Sequence, residues 1–239
     1  MGRAHQVREK AIAASSARKS AMNMRASKEI YMAARSGVPD PNSNLALRSA
    51  IEKYKAMQIP RDVIERAIKK AQGGAQETYI AGRYEAIGQG GSYVIIDTLS
   101  DNQNRALVEV RTMVTKKGGH LSVPGSVAFN FTETGLIILN SDKRDEIEEN
   151  LILGDVDVTE VTQEDTSIVI KVNPTFLNAT KVVLSEMGLT EYDTCEITME
   201  PNELISLEGE QLEKFKQMID GLEELQDVQN VYHNVNLED

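Results

Sequence analysis

Few residues in this chain have the types and spacing that would support catalysis. The three histidines, His5, His120 and His233, are far apart, and no CxxC, HExxH or His-x-His pattern provides a zinc site. Neither a GxSxG elbow nor a GxxxxGK phosphate loop occurs. Gly88-Gln89-Gly90-Gly91 is glycine-rich, but it lies between two strand-like runs with no helix after it, so it reads as a hairpin turn. Carboxylates cluster at Asp142, Asp145, Glu146, Glu148 and Glu149, and again at Glu223, Glu224 and Asp227. Both clusters read as exposed helix faces, where solvated surface outweighs general-acid or metal chemistry. The single cysteine, Cys195, excludes a disulfide framework, and its alternation with Ile197 and Met199 reads as a buried strand thiol. No metal, no cofactor and no enzymatic activity are expected.

The chemistry these residues do support is contact with a polyanion. Residues 3–35 hold eight basic and two acidic side chains, a net of +6. Through Gln72 the count is 15 basic against 6 acidic, or +9, and the remaining 167 residues carry 11 against 31, or −20. A cationic arm on an acidic body meets phosphate with one end only, because the body repels the polyanion and orients the encounter. The candidate contacts are Arg3, Arg8, Lys10, Arg18, Lys19, Arg25 and Lys28. Lys116 and Lys117, in the loop Lys116-Lys117-Gly118-Gly119-His120, form a second group. A solvated face is the competing reading of the arm, weakened by its one-signed charge. For the loop, a helix C-terminus with dipole-complementing lysines and a left-handed glycine explains most of the pattern. With few aromatics and no groove-reading motif, the arm suits phosphate contact rather than base readout.

The elements that must position these residues change character along the chain. Residues 6–21 and 24–36 read as helices, the second closed by Gly37 as a left-handed cap before Pro39 and Pro41. A third helix starts near Asn42–Asn44 with Leu47, Ala50, Ile51 and Tyr54 on one face. A fourth follows Pro60 with Ile64, Ala67, Ile68 and Ala71, and Gly73-Gly74 ends the bundle. Beyond Gln76 the period becomes two. Strands are predicted at 82–88, 92–99 and through Val127, Phe129 and Phe131, with a helix capped by Asn102 between them. Strand 135–140, helix 142–152, strands 155–162 and 166–172, helix 174–187 and strand 194–200 give the order βαββαβ, a ferredoxin-like unit. A last helix, with Leu212, Phe215, Ile219, Leu222 and Leu225 inward, precedes a strand at 228–235.

The expected fold is therefore α+β in three domains: a basic helical domain over 1–75, a split α+β domain of 76–134 plus 202–239, and an inserted ferredoxin-like α+β domain over 135–201. The longest apolar runs are strand-length, so no membrane association is expected. The Arg-, Ala- and Ser-rich start has a transit-peptide flavour, but Glu9 and Glu29 interrupt it, so it reads as mature protein of the cytoplasm. A monomer is expected.

The chain resembles the YebC/PmpR family, and within it the YeeN-like branch. The family includes the mitochondrial translational activator of cytochrome oxidase. The resemblance is carried by Pro39-Asp40-Pro41 with Asn44, by Ile59-Pro60 with Val63-Ile64-Glu65-Arg66-Ala67-Ile68-Lys69-Lys70, and by Gly82-Arg83-Tyr84-Glu85. It continues in Asp101-Asn102-Gln103-Asn104-Arg105, Lys116-Lys117-Gly118-Gly119, Gly125-Ser126-Val127-Ala128-Phe129 and the tail Asp227 to Val235. Members usually open Gly-His/Arg-Ser/Lys-Lys-Trp, whereas here Ala4-His5-Gln6-Val7 follows Gly2-Arg3 and there is no tryptophan. The resemblance implies a helical domain, two α+β domains and a role in gene expression. That role is a ribosome- and ribosomal-RNA-associated translation factor aiding synthesis of proline-rich stretches, or alternatively a DNA-binding transcriptional regulatory protein. Physics leans to the ribosome, since a cationic helix without a helix-turn-helix signal suits structured RNA read by shape.

Overall fold

The protein, described by a computed structural model over residues 16–73 and 77–237, is α+β. It divides into two compact units. One runs up to Phe131 and resumes at Pro201; the other is Thr132–Glu200. The basic helical segment and the split α+β segment both fall in the first unit.

That unit opens with three helices, α1 (Ser16–Arg35), α2 (Leu45–Ala56) and α3 (Arg61–Gln72). The predicted break between residues 21 and 24 is absent, and α1 is continuous from Ser16; the expected helical stretch 6–15 lies outside the described residues. Ala26, Ile30, Tyr31 and Ala34 of α1 pack on Leu47, Ile51 and Tyr54 of α2 and on Val63, Ile64, Ala67 and Ala71 of α3. Asn44 ties two helix ends together. Its Oδ1 accepts from the Leu47 amide at 3.0 Å, capping α2, while its Nδ2 donates to the Ala33 carbonyl at 2.8 Å and the Val38 carbonyl at 3.0 Å. Gly37 is not left-handed as predicted. A Cβ there would come within 3.1 Å of the Asn44 amide, so glycine serves close approach instead.

Between α2 and α3 the chain reverses through Met57–Pro60. Gln58 takes φ 58°, its amide donates to Lys55 O at 2.9 Å, and the Ile59 amide donates to Tyr54 O at 3.0 Å. These two bonds form a Schellman closure, with Ile59 and Tyr54 as its buried hydrophobic contact. Pro60 then sits at the N-cap of α3, one position before the expected first turn.

Strands β1 (Ile80–Ile87) and β2 (Tyr93–Ser100) form a hairpin whose turn uses Gly90 and Gly91 at φ 63° and 77°, as the glycine-rich run predicts. Asn102 caps α4 (Gln103–Lys116), and the short β3 (His120–Leu121) pairs with β1. The remainder of this unit lies about eighty residues further on: β8 (Ile205–Ser206), α7 (Gly209–Glu223), β9 (Val228–His233) and β10 (Val235–Asn236). The strand β9 pairs antiparallel with β2, giving the sheet order β3-β1-β2-β9. Phe215, Met218, Ile219 and Leu222 of α7 meet Val110 and Val114 of α4 over that sheet.

Val127, Phe129 and Phe131 do not alternate as a strand. Ala128–Asn130 is a 3-10 turn, with Val127 fully buried and Phe129 71 % exposed. The cause is Glu85. Its buried carboxylate accepts from the backbone amides of Gly125, Val127 and Ala128 at 2.5, 2.5 and 3.0 Å, folding the segment into a loop.

The second unit carries β4 (Phe131–Asn140), α5 (Arg144–Leu153), β5 (Val158–Glu164), β6 (Ser167–Val172), α6 (Leu177–Glu186) and β7 (Thr194–Pro201). The order β5-β6-β4-β7 of these four strands is the ferredoxin-like arrangement of a βαββαβ chain. Ile137, Leu139, Ile168 and Ile170 of the sheet pack on Ile147, Leu151 and Leu184 of its helices. Cys195 is half-buried rather than buried, because β7 is an edge strand.

Candidate nucleic-acid interface

The cations of α1 divide by face. Arg18, Arg25 and Lys28 follow one another at intervals of seven and three, which places them on one side of a helix, together with the buried Ala21 and Tyr31. That side meets the C-terminal end of α7. One Arg18 Nη2 bonds both Asp220 Oδ1 at 2.5 Å and Glu223 Oε2 at 2.7 Å. The Arg25 guanidinium donates to the Glu223 carbonyl, and burial pulls its pKa below the ordinary arginine value. The last carbonyls of α7 carry the negative end of its dipole, so these cations complete a helix terminus as well as form ion pairs.

Lys28 is buried, and the polyanion contact expected of it is corrected by this placement. Its ammonium donates to Asp227 Oδ1 at 2.5 Å and to the Leu99 and Gln226 carbonyls, each at 3.0 Å. All three ammonium donors therefore have acceptors. The other oxygen of Asp227 accepts from Ser100 Oγ at 2.7 Å and from Arg105 Nη2 and Nε at 2.7 and 3.0 Å. Arg105 also reaches Asp101 at 2.6 Å, and this bond, with that to Asp227, raises its pKa. Burial alone would raise the pKa of Asp227. The hydrogen bonds from Lys28, Ser100 and Arg105 outweigh it and hold the carboxyl below its ordinary value.

Asp227 therefore leaves the exposed acidic face expected for it and becomes the buried hub joining α1, β2, α4 and the turn before β9. Sequence reading missed this hub and Arg105. The available signal was positional: Lys28 shares a helical row with Tyr31 and Ala21, a face that should be buried. Beside the hub is a cleft of about 510 Å³ where Asp101, Glu109, Glu224 and Asp227 outnumber Lys28 and Arg105. Its charge disfavours phosphate, and Lys28, Asp101, Arg105 and Asp227 are already bonded to one another, so the arrangement is a lock rather than a reactive centre.

Lys19 is exposed on the opposite face of α1. Arg3, Arg8 and Lys10 lie outside the described residues. At the end of α4, Gly118 takes φ 87° and closes a Schellman turn through Thr115 and Val114, which accounts for the glycine pair locally. Lys117 donates to Gln217 Oε1 of α7 at 2.9 Å, while Lys116 remains exposed. The other exposed cations of the helical segment are Arg35, Arg48, Lys55, Arg61, Arg66, Lys69 and Lys70. Most of these lie on α2 and α3, away from the arm that drew attention in the sequence. No group of three or more His, Cys, Asp or Glu side chains could hold a metal among the described residues, and no described helix is long and apolar enough to cross a membrane.

Known proteins match this architecture along almost its whole length. A protein from Mesoplasma florum named probable transcriptional regulatory protein Mfl546 is 44% identical over 239 residues, 99% of this chain and 100% of its own. The probable transcriptional regulatory protein YeeN of Escherichia coli strain K12 is 44% identical over 207 residues, covering 87% of both chains. The crystal structure of the conserved hypothetical protein Aq1575 from Aquifex aeolicus superposes with a TM-score of 0.77 at 31% identity, over 94% of this chain and 93% of that one. The family profile described as TACO1/YebC protein N-terminal domain matches residues 3–74, and that for the TACO1/YebC second and third domain matches 79–235. With both profiles satisfied and its motifs those of the YebC/PmpR group, the chain belongs to the TACO1/YebC family.

Proposed function

We propose that this protein is a regulator of gene expression that binds nucleic acid through its helical segment, and that it acts on transcription through DNA. The observation that carries the reading is the set of exposed cations on α2 and α3, on a chain whose net charge is −11. The relatives' names, probable transcriptional regulatory proteins, favour the DNA form of it. Arg3, Arg8, Lys10, Lys19 and Lys116 add counter-charge, whereas Arg18, Arg25 and Lys28 brace the arm against α7 and β2. The test is a labelled duplex titrated in the presence of excess competitor DNA. Regulatory binding keeps a sequence preference under competition; binding abolished by any competitor is charge attraction alone and rejects the reading.

A second reading, a ribosome-associated translation factor, is favoured by a separate observation. Lys19 and Lys116 are exposed on different elements, and dispersed cations suit a folded RNA contacted by shape. Sucrose-gradient sedimentation of a lysate at moderate salt places the protein with ribosomes under this reading. Its confinement to the top fractions removes it.

A further inference from the structure

We propose that Leu45–Gln72 works as a helix-turn-helix whose second helix, α3, enters the major groove of duplex DNA, an assignment that rests on the transcriptional reading above. Two helices of 12 residues are joined by only four, Met57–Pro60. The left-handed Gln58 and the two bonds of the Schellman closure make that turn sharp and fixed, and Ile59 pins it into the core. Met57 and Pro60 flank this reversal without extending either helix.

The inner face of α3 is apolar and buried: Val63, Ile64, Ala67 and Ala71. Its outer face is a stripe of Arg61, Asp62, Glu65, Arg66 and Lys69, at positions i, i+1, i+4, i+5 and i+8. The side chains of Arg61 and Arg66 are 89% and 73% exposed, and each is held extended along the helix by a carboxylate one turn away, Glu65 at 2.6 Å and Asp62 at 2.7 Å. Such pairs are weak in water and open readily to a better partner. Guanidinium forks match guanine O6 and N7, and carboxylates accept from the cytosine amine, so the stripe can read base edges.

Lys55 and Lys69 form no ion pair among the described residues. Lys55 lines one cleft with Arg61, which places the α2 lysine beside the start of α3. Lys55 thus lies beside the start of the reading face and Lys69 at its far end, both exposed and available for phosphate. A-form RNA has a deep, narrow major groove that a helix cannot enter, so the occupant is duplex DNA.

The experiment uses the full chain, a labelled 20-base-pair DNA duplex and an RNA duplex of the same sequence, with fluorescence anisotropy over a range of salt. The wild-type protein is expected to favour DNA. Lys55→Gln with Lys69→Gln is expected to weaken DNA binding on the order of tenfold and to flatten the log K against log salt slope by about 1.8, while Lys55→Arg with Lys69→Arg preserves both. Arg66→Ala relaxes sequence preference in duplexes selected from a random pool, at an unchanged melting temperature. Equal binding to the RNA duplex overturns the assignment, as does a double glutamine variant with full affinity and slope. Wild-type protein that binds neither duplex removes the transcriptional reading itself.

Discussion

Asp227 shows how a single carboxylate can organise a unit. It is 2% exposed and accepts from Lys28, Ser100 and Arg105, so three elements, α1, β2 and α4, meet on it. Replacing it by asparagine leaves the Lys28 ammonium buried beside a neutral group, which should cost about 3–5 kcal/mol. Urea denaturation at pH 7 measures that loss. The sign of the pH dependence follows from the lowered pKa. The carboxylate's contribution is complete above its unfolded value and is lost as pH falls through the folded one. The difference between wild type and Asp227→Asn should therefore shrink in acid, and a constant difference down to pH 2 would refute the hub. Lys28 carries the matching lesson. Its charge suggested a polyanion, and its helical row, shared with Tyr31, indicated burial; the row proved the better guide.

At the scale of elements, helix ends and turns are settled by local hydrogen bonds whose residues are legible when the motif is short-range. Asn102 reads as a cap and caps, and Asn44, within the expected start of its helix, does the same. Gln58 is less obvious, because a left-handed residue is usually glycine or asparagine. The conformation costs a side-chain-bearing residue roughly 1–2 kcal/mol, partly offset by the lower entropy of its unfolded chain. Gln58→Gly should accordingly raise stability by about 0.5–1 kcal/mol, read as an upward shift of the urea midpoint with unchanged slope. The loop at 122–130 was illegible for the opposite reason. Its strand-like alternation is overridden by Glu85, some forty residues earlier, which gathers three amides. Glu85→Gln halves the acceptor capacity at that point. The expected loss is about 1–3 kcal/mol, with faster amide exchange confined first to Gly125, Val127 and Ala128.

For the whole molecule, the decisive feature is that the first unit is closed by a segment distant in sequence. A chain ending at Pro201 lacks β9, the partner of β2, and lacks Phe215, Met218, Ile219 and Leu222 of the core. Each such side chain contributes about 1.5–3 kcal/mol on burial, so their joint loss matches the entire stability of a typical domain. That truncated chain should show no cooperative melting of the first unit by circular dichroism; a sharp transition would disprove the dependence.

The sequence by itself determined the helical start, the βαββαβ order, the return of the tail and the lack of a recognisable catalytic motif. These rest on hydrophobic period, caps and motif spacing, all of which are local. It also determined that the charge is segregated. Only the tertiary structure decided how that charge is used, because a lysine's role depends on which acceptors approach it from elsewhere in the chain. Asp220, Glu223 and Asp227, about two hundred residues away, claim Arg18 and Lys28. Lys55 at the end of α2 and Lys69 on α3 are left facing solvent.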